Sequence, residues 1–292
     1  MSEQTTTAAS APVAKPRISR VQQMLRRRPP VDRSALRVED VTVRFGGLTA
    51  LDRVWFAAPP GTILGVIGPN GAGKSTLFDA ICGLVPLTRG RVKLAGRDIT
   101  HLTPHTRARL GLSRSFQDGR LFPSLTVTEA LSIALVRHLP VEGPMSIALG
   151  GPFARGRGRE AATRVAELIE SMGLTPYADA YVRELSTGTR RVVDLACAVA
   201  QQPDVLLLDE PSSGVAAAEV PAMAALIRDV RDRTNSTIVL IEHDIPLVSG
   251  VSDELLALET GRVVTRGTPD EVLADERVIA AYLGRQAGEE AA

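Results

Sequence analysis

Gly68-Pro69-Asn70-Gly71-Ala72-Gly73-Lys74-Ser75-Thr76 sets three glycines, a lysine and two hydroxyls in the order G-x-x-x-x-G-K-[ST]. Each residue type answers a need of phosphate chemistry. Glycines let the backbone bend until its N–H groups converge on phosphate oxygens. A helix opening at Lys74 adds positive potential at the same point. Lys74 brings a charge to the β- and γ-phosphates of a nucleotide, and the Ser75 hydroxyl is a candidate Mg2+ ligand. An apolar strand pattern, Ile63-Leu64-Gly65-Val66-Ile67, precedes the loop, and a helical pattern, Leu77, Ala80, Ile81 and Leu84, follows it. An incidental glycine-rich turn would lack both flanks.

A second chemical feature is the run Val205-Leu206-Leu207-Leu208-Asp209-Glu210-Pro211, apolar and then doubly acidic. Strand ends in open α/β sheets face the ligand crevice. Asp209 at such an end suits Mg2+, and Glu210 is the next carboxylate, placed to act as general base on an attacking water. Two acids alone would describe a solvated strand end. Together with the phosphate loop they describe nucleotide hydrolysis.

These residues need an α/β frame. Strand patterns run over 37–45, 50–57, 62–67, 91–94, 112–116, 205–208, 237–241, 254–258 and 262–266. Helical periodicity runs over 74–84, 126–136, 159–172, 190–200, 217–232 and 276–283, and the Gly/Pro/Arg-rich stretch 139–158 predicts a loop. No internal repeat is visible.

Composition excludes several classes. The chain has 292 residues, 3% aromatics and a net charge of +1, which argue against a stacking platform for single strands and against a globally basic nucleic-acid binder; no nucleic-acid partner is expected. No apolar run is long enough to span a bilayer, and the opening Met1-Ser-Glu-Gln-Thr-Thr-Thr predicts no secretory signal. Cys82 and Cys197 stand far apart, which disfavours a disulfide framework and fits a reducing compartment. Residues 1–34 carry seven basic residues against two acidic, while the remainder is net negative. Within that arm Ile18, Val21, Met24 and Leu25 fall at helical spacing among arginines. They describe either a basic amphipathic helix for a membrane surface or a solvated tail, and the tail is favoured because so short a helix is marginal in water.

From about Leu36 to Gly284 the sequence resembles the ATP-binding subunits of ABC transporters. Further motifs stand in that family's order. Phe45, 29 residues before Lys74, takes the place of the aromatic that stacks on adenine. Gln117, in Ser115-Phe116-Gln117-Asp118, resembles the Q-loop glutamine that senses Mg2+ and the attacking water. Leu185-Ser186-Thr187-Gly188-Thr189 is similar to the signature loop, and His243 in Ile241-Glu242-His243-Asp244 to the switch histidine that contacts the γ-phosphate. The closest look is to the branched-chain amino acid importers, through Arg44-Phe45-Gly46-Gly47-Leu48-Thr49-Ala50-Leu51, Leu121-Phe122-Pro123-Ser124-Leu125-Thr126-Val127 and the ending Ile279-Ala280-Ala281-Tyr282-Leu283-Gly284. Lipopolysaccharide-export ATPases share much of this core and are the runner-up. Soluble ABC proteins of repair or translation usually bring a long coiled coil or two cassettes, and a P-loop kinase brings no signature; neither pattern is present here.

The resemblance implies an ABC-type P-loop nucleotide-binding domain: a RecA-like core, an antiparallel β subdomain and an α-helical subdomain at about 118–200. The arm over 1–34 precedes this domain, which spans 35–284, and a tail over 285–292 follows. ATP and Mg2+ are the implied cofactors. The site is implied to be Glu210, His243 and Gln117 for catalysis, Phe45, Gly68 to Thr76, Ser186, Thr187 and Gly188 for nucleotide, and Ser75, Gln117 and Asp209 for the metal. Ser186 and Gly188 would reach the γ-phosphate held by a second ATPase subunit. Permease subunits would dock around Leu121–Val136 at the cytoplasmic face of the membrane, with a solute-binding protein beyond them. Thr187 and Thr189 depart from the family's Gly and Gln, and Ser212-Ser213-Gly214-Val215-Ala216 lacks the family's usual Asp or Asn. If Thr187 needed positive φ it would be strained; ordinary negative φ, which its intact site companions favour, would tolerate it.

Overall fold

The computed structural model describes residues 36–115, 122–136 and 152–289, the side chains of 152–159 and 283–289 excepted. The basic arm, Gln117 and most of the expected 139–158 loop lie outside the described residues.

Two sheets organise the chain. The first is antiparallel, with strands β1 (Leu36–Phe45), β2 (Leu48–Ala58), β4 (Arg89–Leu94) and β5 (Arg97–Asp98) in the order β2-β1-β4-β5. The second holds β3 (Ile63–Ile67), β6 (Leu112–Arg114), β7 (Val205–Asp209), β8 (Thr237–Ile241), β9 (Glu254–Glu259) and β10 (Arg262–Gly267) in the order β10-β9-β3-β8-β7-β6. Its strands are parallel except β10, which returns antiparallel beside β9. Every residue of β3, β7 and β8 is buried, as expected of parallel strands covered on both faces.

Side-chain alternation then divides the interior into two apolar clusters. Val205, Leu207, Val239 and Val66 face the antiparallel sheet, packing with Phe56 and with Leu77 and Phe78 of helix α1 (Lys74–Cys82). Leu206, Leu208, Ile238 and Ile67 face the other way. There they meet Leu131 of α3 (Val127–Val136), Val165 of α4 (Pro152–Ser171), Val193 of α5 (Thr187–Ala200) and Ile227 of α6 (Val220–Thr234).

Several expectations shift. Helix α4 begins at Pro152, inside the stretch expected to be loop. Proline suits a first helical turn, and packing of the later turns outweighs the weak propensity of Gly156 and Gly158. Helix α5 begins at Thr187 rather than Arg190, because Ser186 caps it. Three helices of under two turns were not expected: α2 (Pro104–Arg109), α7 (Ile245–Val251) and α8 (Pro269–Leu273). Each has Pro in its first turn and a side-chain cap, from Thr103, Asp244 and Thr268. The last helix, α9 (Glu276–Glu289), continues past the expected end at Leu283 and into the expected tail.

A backbone seam joins the two sheets beside the phosphate loop. Asp52 N–H donates to Gly261 O at 2.8 Å, and Gly261 N–H donates to Ala72 O at 2.9 Å. A Cβ on Gly261 would lie 2.4 Å from Ala50 O, and one on Gly73 would lie 2.8 Å from the same oxygen.

Candidate functional site

The site gathers where β3, β8 and β7 end side by side. Buried β3 delivers the chain to Gly68, and Gly73 then caps α1 with φ of 101°. Lys74 is buried, and its Nζ donates to Gly68 O at 2.5 Å and to Pro69 O at 3.1 Å. Ser75, one residue on, is exposed. Thr76 follows in the same first turn of α1. The loop is thus preshaped, with its cation folded against its own carbonyls.

Strand β7 ends in Asp209, whose side chain is 2% exposed. Its Oδ2 accepts from Arg114 Nη2 at 2.7 Å, while Arg114 Nη1 donates to Asp79 Oδ1 at 2.6 Å. Arg114 therefore ties β7 to the helix that follows the phosphate loop. Burial alone would lower the Arg114 guanidinium; its hydrogen bonds to Asp79 and Asp209 outweigh that and raise it. Ser115 Oγ accepts from Asp209 N–H at 3.2 Å.

Asp209 Oδ1 is buried and has no hydrogen-bond partner among the described residues. A buried carboxylate oxygen left over in this way is costly unless a cation meets it. No group of three His, Cys, Asp or Glu that could hold a metal occurs among the described residues. The Asp209 oxygen fits Mg2+, which takes one or two protein oxygens and fills its remaining positions with phosphate and water. A Mg2+–nucleotide therefore fits the loop, the lysine and this carboxylate; it does not fit a dedicated all-protein cage.

Glu210 follows with φ of 49°, a left-handed turn that carries its side chain out of the strand line. Its Oε1 lies 2.5 Å from His243 Nε2, with His243 half exposed and Glu210 largely covered. The segments carrying this pair are joined by the buried Glu242. Its Oε1 accepts from Ser212 N–H at 2.8 Å and its Oε2 from His243 N–H at 3.0 Å.

The remaining residues take two positions. Phe45 pairs with Leu48 across the β1–β2 turn and is 49% exposed. Ala50, two residues beyond Leu48, lies against Gly73 of the loop. Ser186, Thr187 and Gly188 lie instead on the helical side. Ser186 Oγ accepts from Thr189 N–H at 3.1 Å, and both Ser186 and Thr187 are exposed. Thr187 is the first residue of α5 and is not among the residues with positive φ. A Cβ on Gly188 would meet Glu219 Oε2 at 2.5 Å, and one on Gly214 would meet Thr187 Cγ2 at 3.0 Å. The altered signature and the altered segment after β7 are thus packed on each other.

Sequence reading missed Arg114 and Glu242. Arg114 is one of many arginines, and its partners lie 35 and 95 residues away. Glu242 had a signal, adjacency to His243, and was passed over for it.

The pattern of the family described as ABC transporter matches residues 51–213, and that described as Branched-chain amino acid ATP-binding cassette transporter matches residues 262–288. The chain is 36% identical over 254 residues to the high-affinity branched-chain amino acid transport ATP-binding protein BraF of Pseudomonas aeruginosa, covering 87% of this chain and 99% of that one. It is 37% identical over 249 residues to LivG of Escherichia coli K12, of the same description, covering 85% and 97%. Among solved structures, the ADP conformation of MJ1267, an ATP-binding cassette of an ABC transporter, aligns with a TM-score of 0.73 and 27% identity over 86% of this chain and 99% of that one.

Proposed function

The chain belongs to the ATP-hydrolysing, ATP-binding subunits of ABC transporters, and from that premise we propose that it powers import of branched-chain amino acids. One observation carries the choice of solute: a branched-chain-specific segment, 262–288, is joined to the general ATPase core on one chain. The experiment is co-purification of the permease with this chain, reconstitution in liposomes and ATP-dependent uptake of labelled leucine. Uptake of another solute class with no leucine transport would overturn the assignment.

The loop N–H groups and Lys74 hold the phosphates, and Phe45 stacks on the base. Ser75, Asp209 and the Q-loop Gln117 hold Mg2+. Mg2+ held there would supply charge neutralisation at the phosphates. Glu210 takes the proton of the attacking water at its carboxylate, and His243 keeps that carboxylate oriented through Oε1. Ser186 and Gly188 serve the phosphate held by a second ATPase subunit, so each site is completed across a head-to-tail pair. Nucleotide closes the pair by binding the closed state better, and hydrolysis removes that difference. The subunit works at the membrane by docking on permease chains, with a solute-binding protein outside. No helix among the described residues is long and apolar enough to cross a membrane.

A further inference from the structure

Gly68 is the first residue past the β3–β9 ladder, which ends at the Ile67–Ala257 pair. Both of its backbone polar groups are held by side chains. Its carbonyl accepts from Lys74 Nζ, and its N–H donates to the phenol oxygen of Tyr282 at 2.9 Å. Tyr282 stands 214 residues further along, on α9. Its ring is partly buried against the cluster that contains Ile67 and Ala257. The residue lies within the segment 262–288 that matches the branched-chain family pattern, outside the general ATPase core at 51–213. Burial raises the pKa of the phenol.

We propose that Tyr282 is a positioning residue for the phosphate loop: its phenol oxygen fixes the peptide that leads from β3 into the loop, and the seating of α9 thereby sets nucleotide affinity. Gly68 itself pairs with no residue of β9, and its N–H is met by a side chain instead. Thermodynamic linkage makes the effect reciprocal, since whatever displaces α9 weakens nucleotide binding and bound nucleotide holds α9 down. The proposal rests on the reading that 68–76 binds nucleotide.

The test uses the full-length chain and Mg2+–ADP, which avoids turnover. Tyr282→Phe keeps the ring and removes the oxygen; Tyr282→Leu removes both. Calorimetry should show affinity falling about three- to tenfold in both variants, the effect of one lost neutral hydrogen bond. The thermal midpoint of the nucleotide-free protein should fall only in Tyr282→Leu. KM for ATP should rise in Tyr282→Phe with kcat held. Normal ADP affinity in Tyr282→Phe with a loss in Tyr282→Leu would reduce the residue to packing and overturn the proposal. Lys74→Ala is the control: if it binds ADP normally, the phosphate-loop reading has failed, whatever Tyr282 does.

Discussion

Glu210 sits in a left-handed turn with its carboxylate against His243, and its assignment as base has a direct measure. Glu210→Gln keeps shape and nucleotide binding, and phosphate release should fall about 10²–10⁴-fold, the usual contribution of a general base. Near-normal release would give the role to another group. The cysteines are predicted to be inert. Burial pushes Cys82 up to about 11 and Cys197 up to about 12. Only thiolate is nucleophilic, so alkylation of Cys82 at pH 8 should run about a hundredfold slower in the folded protein than in the unfolded one. The sign for stability follows. The neutral thiols stabilise the fold fully below their unfolded value of 9.0, and that contribution is lost as pH rises from there through the folded values. Mass spectrometry of trapped thiols and an alkaline series of thermal midpoints check both. At this scale the sequence was legible where chemistry is local in the chain. Lys74 and Ser75 are fixed by spacing within one loop, and Asp209 and Glu210 by the apolar run before them. The Arg114 bridge was hidden, because a charge pair across 95 residues leaves no periodicity to read.

Elements explain which expectations held and which moved. Strands β3, β7 and β8 were readable as uninterrupted apolar runs, since both faces are covered. The short helices α2, α7 and α8 carry too few turns for an apolar stripe, yet each has a capping side chain and a proline that a reading weighted toward caps would have found. The start of α4 was obscured by Gly156 and Gly158, whose low propensity is overridden by contacts made further along. Helix α5 bears on the altered signature. Thr187 occupies the first turn with helical backbone, so glycine there removes no strain and costs about 0.5–1 kcal/mol of helix stability. Thr187→Gly in the assembled transporter should therefore leave the ATPase rate within about threefold and should not raise the thermal midpoint. A rise beyond about tenfold, ~1.4 kcal/mol in the barrier, would identify the natural threonine as a brake.

The whole molecule is built to be completed by other chains. Its phosphate loop and its signature lie on different parts of one subunit, and apolar side chains remain uncovered where permease docking is proposed. Phe122 is 64% exposed and Ile133 53% exposed, both within the stretch assigned to that contact. Phe122→Asp should abolish co-purification of the permease while leaving the thermal midpoint and the ADP affinity of the isolated subunit unchanged. Retained permease would move the docking surface elsewhere. The seam between the two sheets has a consequence for how this chain can vary through generations. Its hydrogen bonds run from backbone to backbone through Asp52, Gly261 and Ala72, with Arg262 clasping the Asp52 carboxylate beside them, and the close approach of Ala50 O leaves no room for a side chain at Gly73 or Gly261. Every single-base missense change of a glycine codon introduces a Cβ. In a random mutagenesis library selected for transport, codons 73 and 261 should therefore return only synonymous changes.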